Sequence, residues 1–580
     1  MALLLSSCGH SGNSGSSGDT SPTTPLSAQD ALATATPIKH LVVIFGENES
    51  FDHYFGTYPQ SADPTGEPTQ KWAAPSNVAT VNGYVRNASL LTANPNTTNA
   101  ANLAKAASAG FPASFMNPFR LDRAQFDTSS QNHAYTPEQL GTDNLKMDAF
   151  VANTGATNAA GAAGSFGTVA QVMGYFDGNT VTGMWNYAQN FAMSDNAFTD
   201  SFGPSTPGAI NVVSGQTNGG SNATSSTVPD GQGGFTLIND SDPTGDTCSA
   251  KPAAGSTAPV TIQMAGKNIG DLLNTANITW GGFMGGFDLT ATNANGTTGC
   301  ARSTVSPNTN RTVTDYTPHH AWFQYYASTV NPQHTRPSST AMIGHTEPTL
   351  DAAGSTTPVH HQYDYNDFVA SVSSGNFASV SYIKAPAFQD AHPGNSNPLD
   401  EQAFVAKVVN FLEQQADWKN TAVIVAYDDS DGWYDHQAPN ILTSSFDSIT
   451  SESVNLPSKT VIGADQMNSP GVCTGPNAKQ GIGVNGKTVN GLCGPGTRTP
   501  FIVISPYARA NYVDSTPITQ ASIVRFIEDN WLNGQRLGGG SKDAAAGSIM
   551  AMFDFTSAPH TTPVFIDPTS GNKTATAPAA

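Results

Sequence analysis

Four short, largely apolar runs constrain the fold of this chain more than any other feature. Such a run suits a strand buried on both faces, as in a parallel sheet covered by helices. The runs occupy residues 38–45 (IKHLVVIF), 377–383 (FASVSYI), 421–427 (TAVIVAY) and 500–505 (PFIVIS). Apolar residues at three- and four-residue spacing predict helices over 400–416, with Asp400 as N-cap, and over 518–532. This alternation of strands and helices predicts an α/β fold.

We predict one large domain between two polar ends. Residues 1–36 resemble the remnant of a lipoprotein signal followed, over residues 9–36, by a disordered Gly/Ser/Thr/Pro/Ala tether, and residues 554–580 form a Pro/Thr/Ala-rich tail. The domain therefore spans residues 37–553. Segments rich in Asn, Thr, Gly and Ser interrupt it, and we interpret them as long loop insertions because strands resume after each. These insertions cover residues 76–115, 215–260, 285–315 and 440–497.

The charge of the chain argues against nucleic-acid binding. It has 24 basic and 44 acidic residues, a formal net charge of −20. No basic patch exists to neutralise phosphates, so we expect no nucleic-acid partner. Charged residues make up only 12% of the chain, and Gly, Asn, Ser and Thr are abundant. That balance is typical of a loop-rich exported protein.

The first of five cysteines stands apart from the others. Leu5-Ser6-Ser7-Cys8 resembles a bacterial lipobox, in which the cysteine carries a lipid anchor, and a polar tether follows it. The apolar stretch before Cys8 is short for a signal peptide, and no Lys or Arg precedes it. We therefore expect a lipoprotein of the periplasm, outer membrane or cell surface, or a secreted protein, unless the lipobox is accidental.

The other four cysteines predict disulfides. They lie in polar, loop-like segments, and Cys248–Cys300 with Cys473–Cys493 is the most economical of three connectivities. A C-x-x-C arrangement is absent from the sequence, which disfavours a zinc ribbon or a thioredoxin-like site. The cysteines thus indicate an oxidising compartment.

Acidic residues directly follow two of the buried runs. Glu47 and Asn48 come after the first run, and Asp428 and Asp429 come after the third. In α/β sheets, ligands bind beyond the carboxyl ends of the strands. Carboxylates gathered there repel one another unless a cation lies among them. Mg²⁺, Ca²⁺ and Mn²⁺ suit such oxygen ligands, and Zn²⁺ stays open. The ordinary alternative is that these are surface loop residues.

A second candidate centre is the segment FGPSTPG at residues 202–208. Ser205 and Thr206 precede Pro207, which is a helix-start signal. A hydroxyl at a helix N-terminus lies where backbone N–H groups favour a phosphate. The alternative is a hydroxyl that only caps the helix.

Histidines form the third candidate centre. Together with a metal they could hold phosphate oxygens and protonate a leaving group, whereas a lone histidine is usually structural. The five candidates are His133, His319, His320, His392 and His436.

These segments together resemble one family in chain order, over residues 37–535. The first run continues as Gly46-Glu47-Asn48-Glu49-Ser50-Phe51-Asp52-His53-Tyr54-Phe55-Gly56, and further motifs lie at 203–207 (GPSTP), 389–394 (QDAHPG), 398–402 (PLDEQ), 427–436 (YDDSDGWYDH) and 496–506 (GTRTPFIVISP). They resemble the bacterial phospholipase C/acid phosphatase (phosphoesterase) family. That family usually has arginine where this chain has Glu49.

The resemblance implies an alkaline-phosphatase-like three-layer sandwich, with a central mixed, largely parallel sheet between helices. Residues 37–553 would be a single phosphoesterase domain that holds one divalent metal ion. The implied nucleophile is Ser205, acting through a phosphoseryl intermediate, with Thr206 as its rival. The implied metal ligands are Glu47, Asn48, Ser205, Asp428 and Asp429.

The resemblance also implies a role for four of the histidines. His133, His319, His320 and His392 would contact the phosphate, and His392 is our first candidate for the acid that protonates the leaving alcohol. His436 belongs to a family motif, and it could act at the site or support it.

Two kinds of phosphoester remain open. We favour a phospholipase C-type phosphodiesterase acting on a small phosphoester or phospholipid, because the opening motif and residues 389–402 look closer to that branch. A broad-specificity acid phosphatase is the alternative, which Ser205 and the short sequence after the core favour. A sulfatase-like motif is absent from the sequence. An inactive lipid- or glycan-binding surface lipoprotein is the alternative of another class.

Overall fold

The computed structural model describes most of the chain. The described residues are 29–62, 67, 72–155, 167–348, 358–359, 361–445, 453–456, 459–462, 473 and 478–578. Cys8 and most of the predicted tether lie outside these residues. Asp30 and the residues that follow it already contact the domain, since Asp30 pairs with His40 at 2.8 Å and Thr36 bonds Asn530.

A large mixed sheet forms the centre of the described structure. Its strands, in chain order, are β1 (His40–Gly46), β2 (Ala192–Ser194), β3 (Trp280–Met284), β4 (Gln362–Asp364), β5 (Val380–Lys384), β6 (Thr421–Tyr427), β7 (Phe501–Ile504) and β8 (Tyr512–Asp514). Their order across the sheet is β4-β3-β5-β1-β6-β7-β2-β8. Only β7 is antiparallel to its neighbours among these strands. The largely parallel sheet explains why the four predicted strands are largely apolar.

Ten α-helices are present in the described part of the chain. They are α1 (Phe51–Phe55), α2 (Ala100–Ser108), α3 (Tyr135–Thr142), α4 (Phe150–Asn153), α5 (Thr182–Asn190), α6 (Ser205–Ser214), α7 (Ile269–Thr275), α8 (Tyr365–Ser373), α9 (Pro398–Glu413) and α10 (Ala521–Trp531).

Helices cover both faces of the sheet. Tyr382 of β5 and Ile424 of β6 both pair with Val43 of β1, so they share a face, and Tyr382 Oη bonds α6 at Val212 O (3.2 Å). Tyr427 lies three positions beyond Ile424 and therefore points to the opposite face. There its hydroxyl bonds Glu401 of α9. The predicted α/β class is thus confirmed, with α6 and α9 on opposite sides.

Short paired strands fill the connections between these elements. They are Phe119–Arg120 with Gly174–Tyr175, Ala197–Phe198 with Ile518–Thr519, Asp242–Pro243 with Thr261–Ile262, Ser303–Val305 with Thr312–Thr314, Glu347–Pro348 with Pro358–Val359, Ser453–Leu456 with Lys459–Ile462, and two three-stranded groups, Asn218–Gly220, Thr227–Pro229, Phe235–Leu237 and Thr443–Ser444, Lys479–Ile482, Thr488–Val489.

The structure corrects two helix starts. Asn397, not Asp400, caps α9: its side chain accepts from the N–H groups of Leu399 and Asp400, and Pro398 occupies the first turn. Asp400 instead accepts from Ser306 Oγ at 2.6 Å. The helix predicted from residue 518 begins at Ala521, because Ile518–Thr519 pairs as a strand.

Both predicted disulfides are present, Cys248–Cys300 and Cys473–Cys493.

The end of the described chain lies against α9. Asn410 exchanges hydrogen bonds with the backbone of Ile566 at 2.7 and 3.0 Å, and the Ile566 side chain is fully buried. Among the described residues, none of the helices has the length and apolar character needed to cross a bilayer.

Candidate active site

The ends of β1 and β6 bring the predicted acidic residues together. The two strands are parallel, and Gly46 pairs with Tyr427, so the chain leaves both strands side by side. Asn48 N donates to Asp428 Oδ1 at 2.9 Å, which links the two loops. Asn48 adopts a left-handed φ of 55°, a conformation that asparagine tolerates better than most residues.

Ser205 enters this cluster from α6. It is the first residue of that helix, and its Oγ lies 3.0 Å from Glu47 Oε2 and 3.4 Å from Asp429 Oδ2. Helix and loop approach this closely because Gly208 lacks a side chain: a Cβ there would come within 2.8 Å of Asp428 Cα. The Ser205 hydroxyl therefore contacts the carboxylates instead of capping its own helix.

Thr206 has different partners. Its N–H and its hydroxyl both donate to Asp240 Oδ1, at 2.9 and 3.0 Å. The two neighbouring hydroxyls thus lie in separate surroundings, and only that of Ser205 contacts the predicted metal ligands.

The donor set fits a cation. Asn48 Oδ1 and Asp428 Oδ2 are buried and have no hydrogen-bond partner among the described residues. Glu47, Asp428 and Asp429 are each at most 1% exposed. Burial of several carboxylates is costly unless a positive charge balances them. Burial and the neighbouring Asp428 raise the pKa of Asp429 well above its ordinary value, which is the sign of an uncompensated cluster.

Lys384, which the sequence reasoning did not single out, also belongs to this cluster. It is the last residue of β5, next to β1, and its ammonium forms an ion pair with Glu47 Oε1. His320 Nδ1 lies 3.1 Å from the same oxygen. Burial lowers the pKa of both Lys384 and His320. One sequence signal could have identified this residue: Lys384 directly follows the buried run 377–383, at the end of a predicted strand.

His133 lies against the same residues. Its Nε2 is 3.3 Å from Asn48 Nδ2, and its Nδ1 is 3.0 Å from Asp431 Oδ1. Burial lowers the pKa of His133, but the carboxylates of Asp429 and Asp431 outweigh it and raise the pKa well above the ordinary value. This imidazole therefore favours its charged form.

The other two predicted histidines complete the group. The ring of His392 lies 6.0 Å from that of His133, and the ring of His319 lies 4.4 Å from that of His320. His392 Nδ1 bonds Pro393 O at 2.8 Å, which leaves Nε2 for another partner. Ala391, just before His392, has a φ of 85°. Such strain in a residue with a Cβ is concentrated at functional sites.

His436 lies in a separate cluster. Its Nδ1 is 2.6 Å from Asp52 Oδ2, and Arg498 Nη2 is 3.0 Å from both Asp52 Oδ1 and Asp435 Oδ1. Burial alone would raise the pKa of Asp52, but His436 and Arg498 outweigh it and lower that pKa. His436 thus belongs to an ion network that joins α1 to the segments after β6 and before β7.

Glu49 is buried beside the site. It occupies the position at which the family that this chain resembles usually has arginine. Its Oε2 lies 3.5 Å from His53 Nε2. Burial, reinforced by the charge of Glu401, raises the pKa of Glu49 well above its ordinary value, and burial lowers the pKa of His53 to about 3. Both groups therefore favour their neutral forms.

The chain is similar to known hydrolases. The model of the Phosphoesterase family matches residues 38–532. Non-hemolytic phospholipase C of Pseudomonas aeruginosa is 28% identical over 162 residues, which are 28% of this chain and 21% of that protein. Phospholipase C A of Mycobacterium tuberculosis is 26% identical over 197 residues, 34% of this chain and 33% of the relative. The matched segments thus cover at most a third of either relative's length.

Proposed function

This chain belongs to the phosphoesterase family, and we propose that it is a phosphoric-ester hydrolase with Ser205 as its nucleophile. The observation that carries the proposal is the position of the Ser205 hydroxyl, 3.0 Å from Glu47 Oε2 and 3.4 Å from Asp429 Oδ2. An alkaline-phosphatase-like arrangement of the α/β layers is part of the proposal.

The proposed cofactor is one divalent metal ion. Glu47, Asn48, Asp428, Asp429 and Ser205 would hold it, and the unpartnered oxygens of Asn48 and Asp428 support this. Oxygen ligands favour Mg²⁺, Ca²⁺ or Mn²⁺, with Zn²⁺ also compatible. When bound, such an ion neutralises charge on the nucleophile and on the phosphoryl oxygens.

Ser205 attacks phosphorus and forms a phosphoseryl intermediate, which water then hydrolyses. The hydroxyl proton has two carboxylate acceptors within reach, those of Glu47 and Asp429. Thr206 is the less suitable nucleophile, because both its donors are directed to Asp240.

The four histidines bind the phosphate and supply the proton for the leaving group. His133 favours its charged form and so stabilises the phosphoryl oxygens, with His319 and His320 beside it. We assign proton donation to His392, whose Nε2 is available because Nδ1 bonds Pro393 O.

We propose a phosphodiester of the phospholipase C type as the substrate, because the relatives from Pseudomonas aeruginosa and Mycobacterium tuberculosis are phospholipases C by name. A broad phosphomonoesterase activity is the second candidate, supported by serine at the nucleophile position. Export is also proposed, since disulfides form in oxidising compartments. The lipid anchor at Cys8 remains part of this proposal.

The test compares S205A and T206A with the wild-type protein. Turnover of a chromogenic phosphomonoester and of a phosphocholine diester is measured with each, and stopped reactions are examined for phosphoserine. We expect S205A to lose turnover and the covalent phosphate, whereas T206A keeps both. Loss in T206A with retention in S205A would reassign the nucleophile. Turnover of neither ester by wild-type protein would favour an inactive lipid- or glycan-binding protein.

A further inference from the structure

Glu138 of α3 joins the two chain segments that meet at the proposed nucleophile. Its Oε2 accepts a hydrogen bond from Gly203 N at 2.9 Å, two residues before Ser205. Its Oε1 accepts one from Ser430 Oγ at 2.8 Å, and Ser430 directly follows Asp429. A single carboxylate therefore bonds both the segment before α6 and the segment after β6.

The bond to Gly203 anchors the chain directly before the nucleophile. Pro204 has no N–H to donate, so the Gly203 N–H is the nearest backbone donor that precedes Ser205. Gly203 has a φ of 119°, and a Cβ there would lie 2.7 Å from Ile238 O, so the chain takes this path only with glycine. Glu138 is only 1% exposed, and solvent therefore cannot readily supply a replacement acceptor.

Ser430 passes the same constraint to the acidic loop. Its Oγ donates to Glu138 and accepts from Gly432 N at 3.1 Å. The hydroxyl therefore fixes the turn that carries Asp429. The orientation of Asp429, whose Oδ2 lies 3.4 Å from Ser205 Oγ, thus depends on Glu138.

A second side chain holds the same two segments together farther from the nucleophile. Gln520 Oε1 accepts from Asp200 N at 3.2 Å, and Gln520 Nε2 donates to Asp428 O at 2.6 Å. Asp200 lies five residues before the nucleophile, whereas the residue bonded by Glu138 lies two before it. Loss of Glu138 should therefore leave the segments docked, while it frees the residues next to the nucleophile.

We propose that Glu138 is a positioning residue, which fixes the Ser205 hydroxyl against the acidic cluster by joining the two segments. The contact of Gly208 with the Asp428 backbone limits how closely α6 approaches, and Glu138 keeps the loop before α6 from moving away. The inference rests on the nucleophilic role proposed for Ser205. Because the hydroxyl reacts only when it is correctly placed, loss of the bridge should lower kcat more than it changes KM.

The test compares kcat and KM of E138M and E138Q with those of the wild-type protein, using whichever of the phosphomonoester and the phosphocholine diester the wild-type protein hydrolyses faster. Methionine fills the space without a carboxylate, so we expect kcat to fall by about 10²-fold with KM almost unchanged. Glutamine keeps an acceptor for Gly203 N and can donate to Ser430 Oγ, so E138Q should recover most of the loss. Wild-type kcat in E138M, or an equally large loss in E138Q, would overturn the proposal.

E413M is the matched control for the loss of a buried carboxylate. Glu413 is also buried, and it accepts from Val564 N at 2.9 Å, against α9. Burial raises the pKa of both Glu138 and Glu413 to about 7. Both variants should lower the free energy of unfolding in urea, but only E138M should lower kcat. A comparable fall of kcat in E413M would contradict the proposal, because general loss of stability would then explain both variants.

S430A removes the half of the bridge that lies on the acidic loop. It should lower kcat less than E138M does, again with KM almost unchanged. In E138M/S430A the second substitution should add little to the first, because both act through one bridge. Additive losses in the double variant would contradict a shared role.

Two further comparisons make every outcome decisive. If E138M does not fold by circular dichroism, S430A carries the test, and an unchanged kcat there overturns the proposal. If S205A loses turnover while E138M keeps wild-type kcat, this inference fails and the proposed function stands. If S205A keeps turnover, the proposed nucleophile is wrong, and the role given to Glu138 fails with it.

Discussion

Gly208 of α6 packs directly against the backbone of Asp428, at the end of β6. A Cβ at residue 208 would come within 2.8 Å of Asp428 Cα and would overlap the carbonyl group. This contact between two backbones sets the distance between the Ser205 hydroxyl and the acidic cluster. The spacing of the proposed nucleophile thus depends on a residue without any side chain.

G208A should therefore impair turnover more than folding. The added methyl group must push α6 away from the Asp428 loop, and a misplacement of about 1 Å can cost about 10²-fold in rate. We expect kcat to fall by about 10²-fold, measured with whichever of the phosphomonoester and the phosphocholine diester the wild-type protein hydrolyses faster. G110A gives the opposite pattern: nothing lies near its added Cβ, but its φ of 79° strains a residue that has a side chain, so it should cost stability and leave kcat unchanged. Wild-type kcat in G208A would show that the helix can shift without consequence.

Removal of divalent metal should abolish turnover and lower the melting temperature. The buried oxygens of Asn48 and Asp428 lose their compensating cation when a chelator is added. An ion present at a hundred times its dissociation constant stabilises the folded state by about 2.7 kcal/mol. Differential scanning calorimetry with and without chelator, followed by readdition of Mg²⁺, Ca²⁺, Mn²⁺ or Zn²⁺, measures the effect and identifies the ion.

D428N should remove most of that metal-dependent shift in melting temperature, since it deletes one ligand charge. D143N is the matched control, because the Asp143 side chain is 39% exposed and forms its ion pair with Lys146, three residues along the chain. An unchanged metal response in D428N would place the ion elsewhere.

R498M should destabilise the fold strongly. Arg498 is fully buried and pairs with Asp52 and Asp435, so its loss leaves these two buried carboxylates with His436 alone to offset them. Breaking such a pair costs about 3–5 kcal/mol. Urea denaturation gives the free energy of unfolding, with R86M as the control, since the exposed Arg86 side chain bonds only Thr80 in the described chain. A cost below about 1 kcal/mol would mean that the network contributes little.

The sequence predicts those parts of the site that depend on local pattern. Buried apolar runs identify β1 and β6, and residues that follow adjacent parallel strands must meet at one edge of the sheet. Glu47, Asn48, Asp428 and Asp429 could therefore be grouped before the structure was known. Ser205 could be added from its helix-start motif and from the family resemblance.

Tertiary contacts account for what the sequence left open. Lys384 and Glu47 are neighbours only because β5 lies beside β1, and the local sequence pattern does not predict the order of strands in a sheet. His436 could not be assigned, because its partners Asp52 and Arg498 are distant in the chain. Asp400 was the wrong cap because Asn397 before Pro398 provides a better one.

Glu401 makes the stability of the protein depend on pH. Burial raises its pKa to about 8, although the hydroxyls of Tyr54 and Tyr427 donate to its carboxylate. The unfolded carboxyl titrates near its ordinary value, so the folded state holds an extra proton between these two pKa values. Stability therefore falls as pH rises through that interval, and the loss is complete above the folded pKa.

E401Q should remove this dependence, because glutamine stays neutral and retains an acceptor for the tyrosines. The free energy of unfolding of E401Q relative to wild type should rise from pH 5 to pH 8 by about 1.4 kcal/mol for each pKa unit of the shift that is realised. Urea denaturation at several pH values measures the difference. E413Q is a matched control, since burial raises the pKa of Glu413 only to about 7 and its relative gain should end at lower pH. A constant difference between E401Q and wild type would show that Glu401 is ionised in the folded protein throughout.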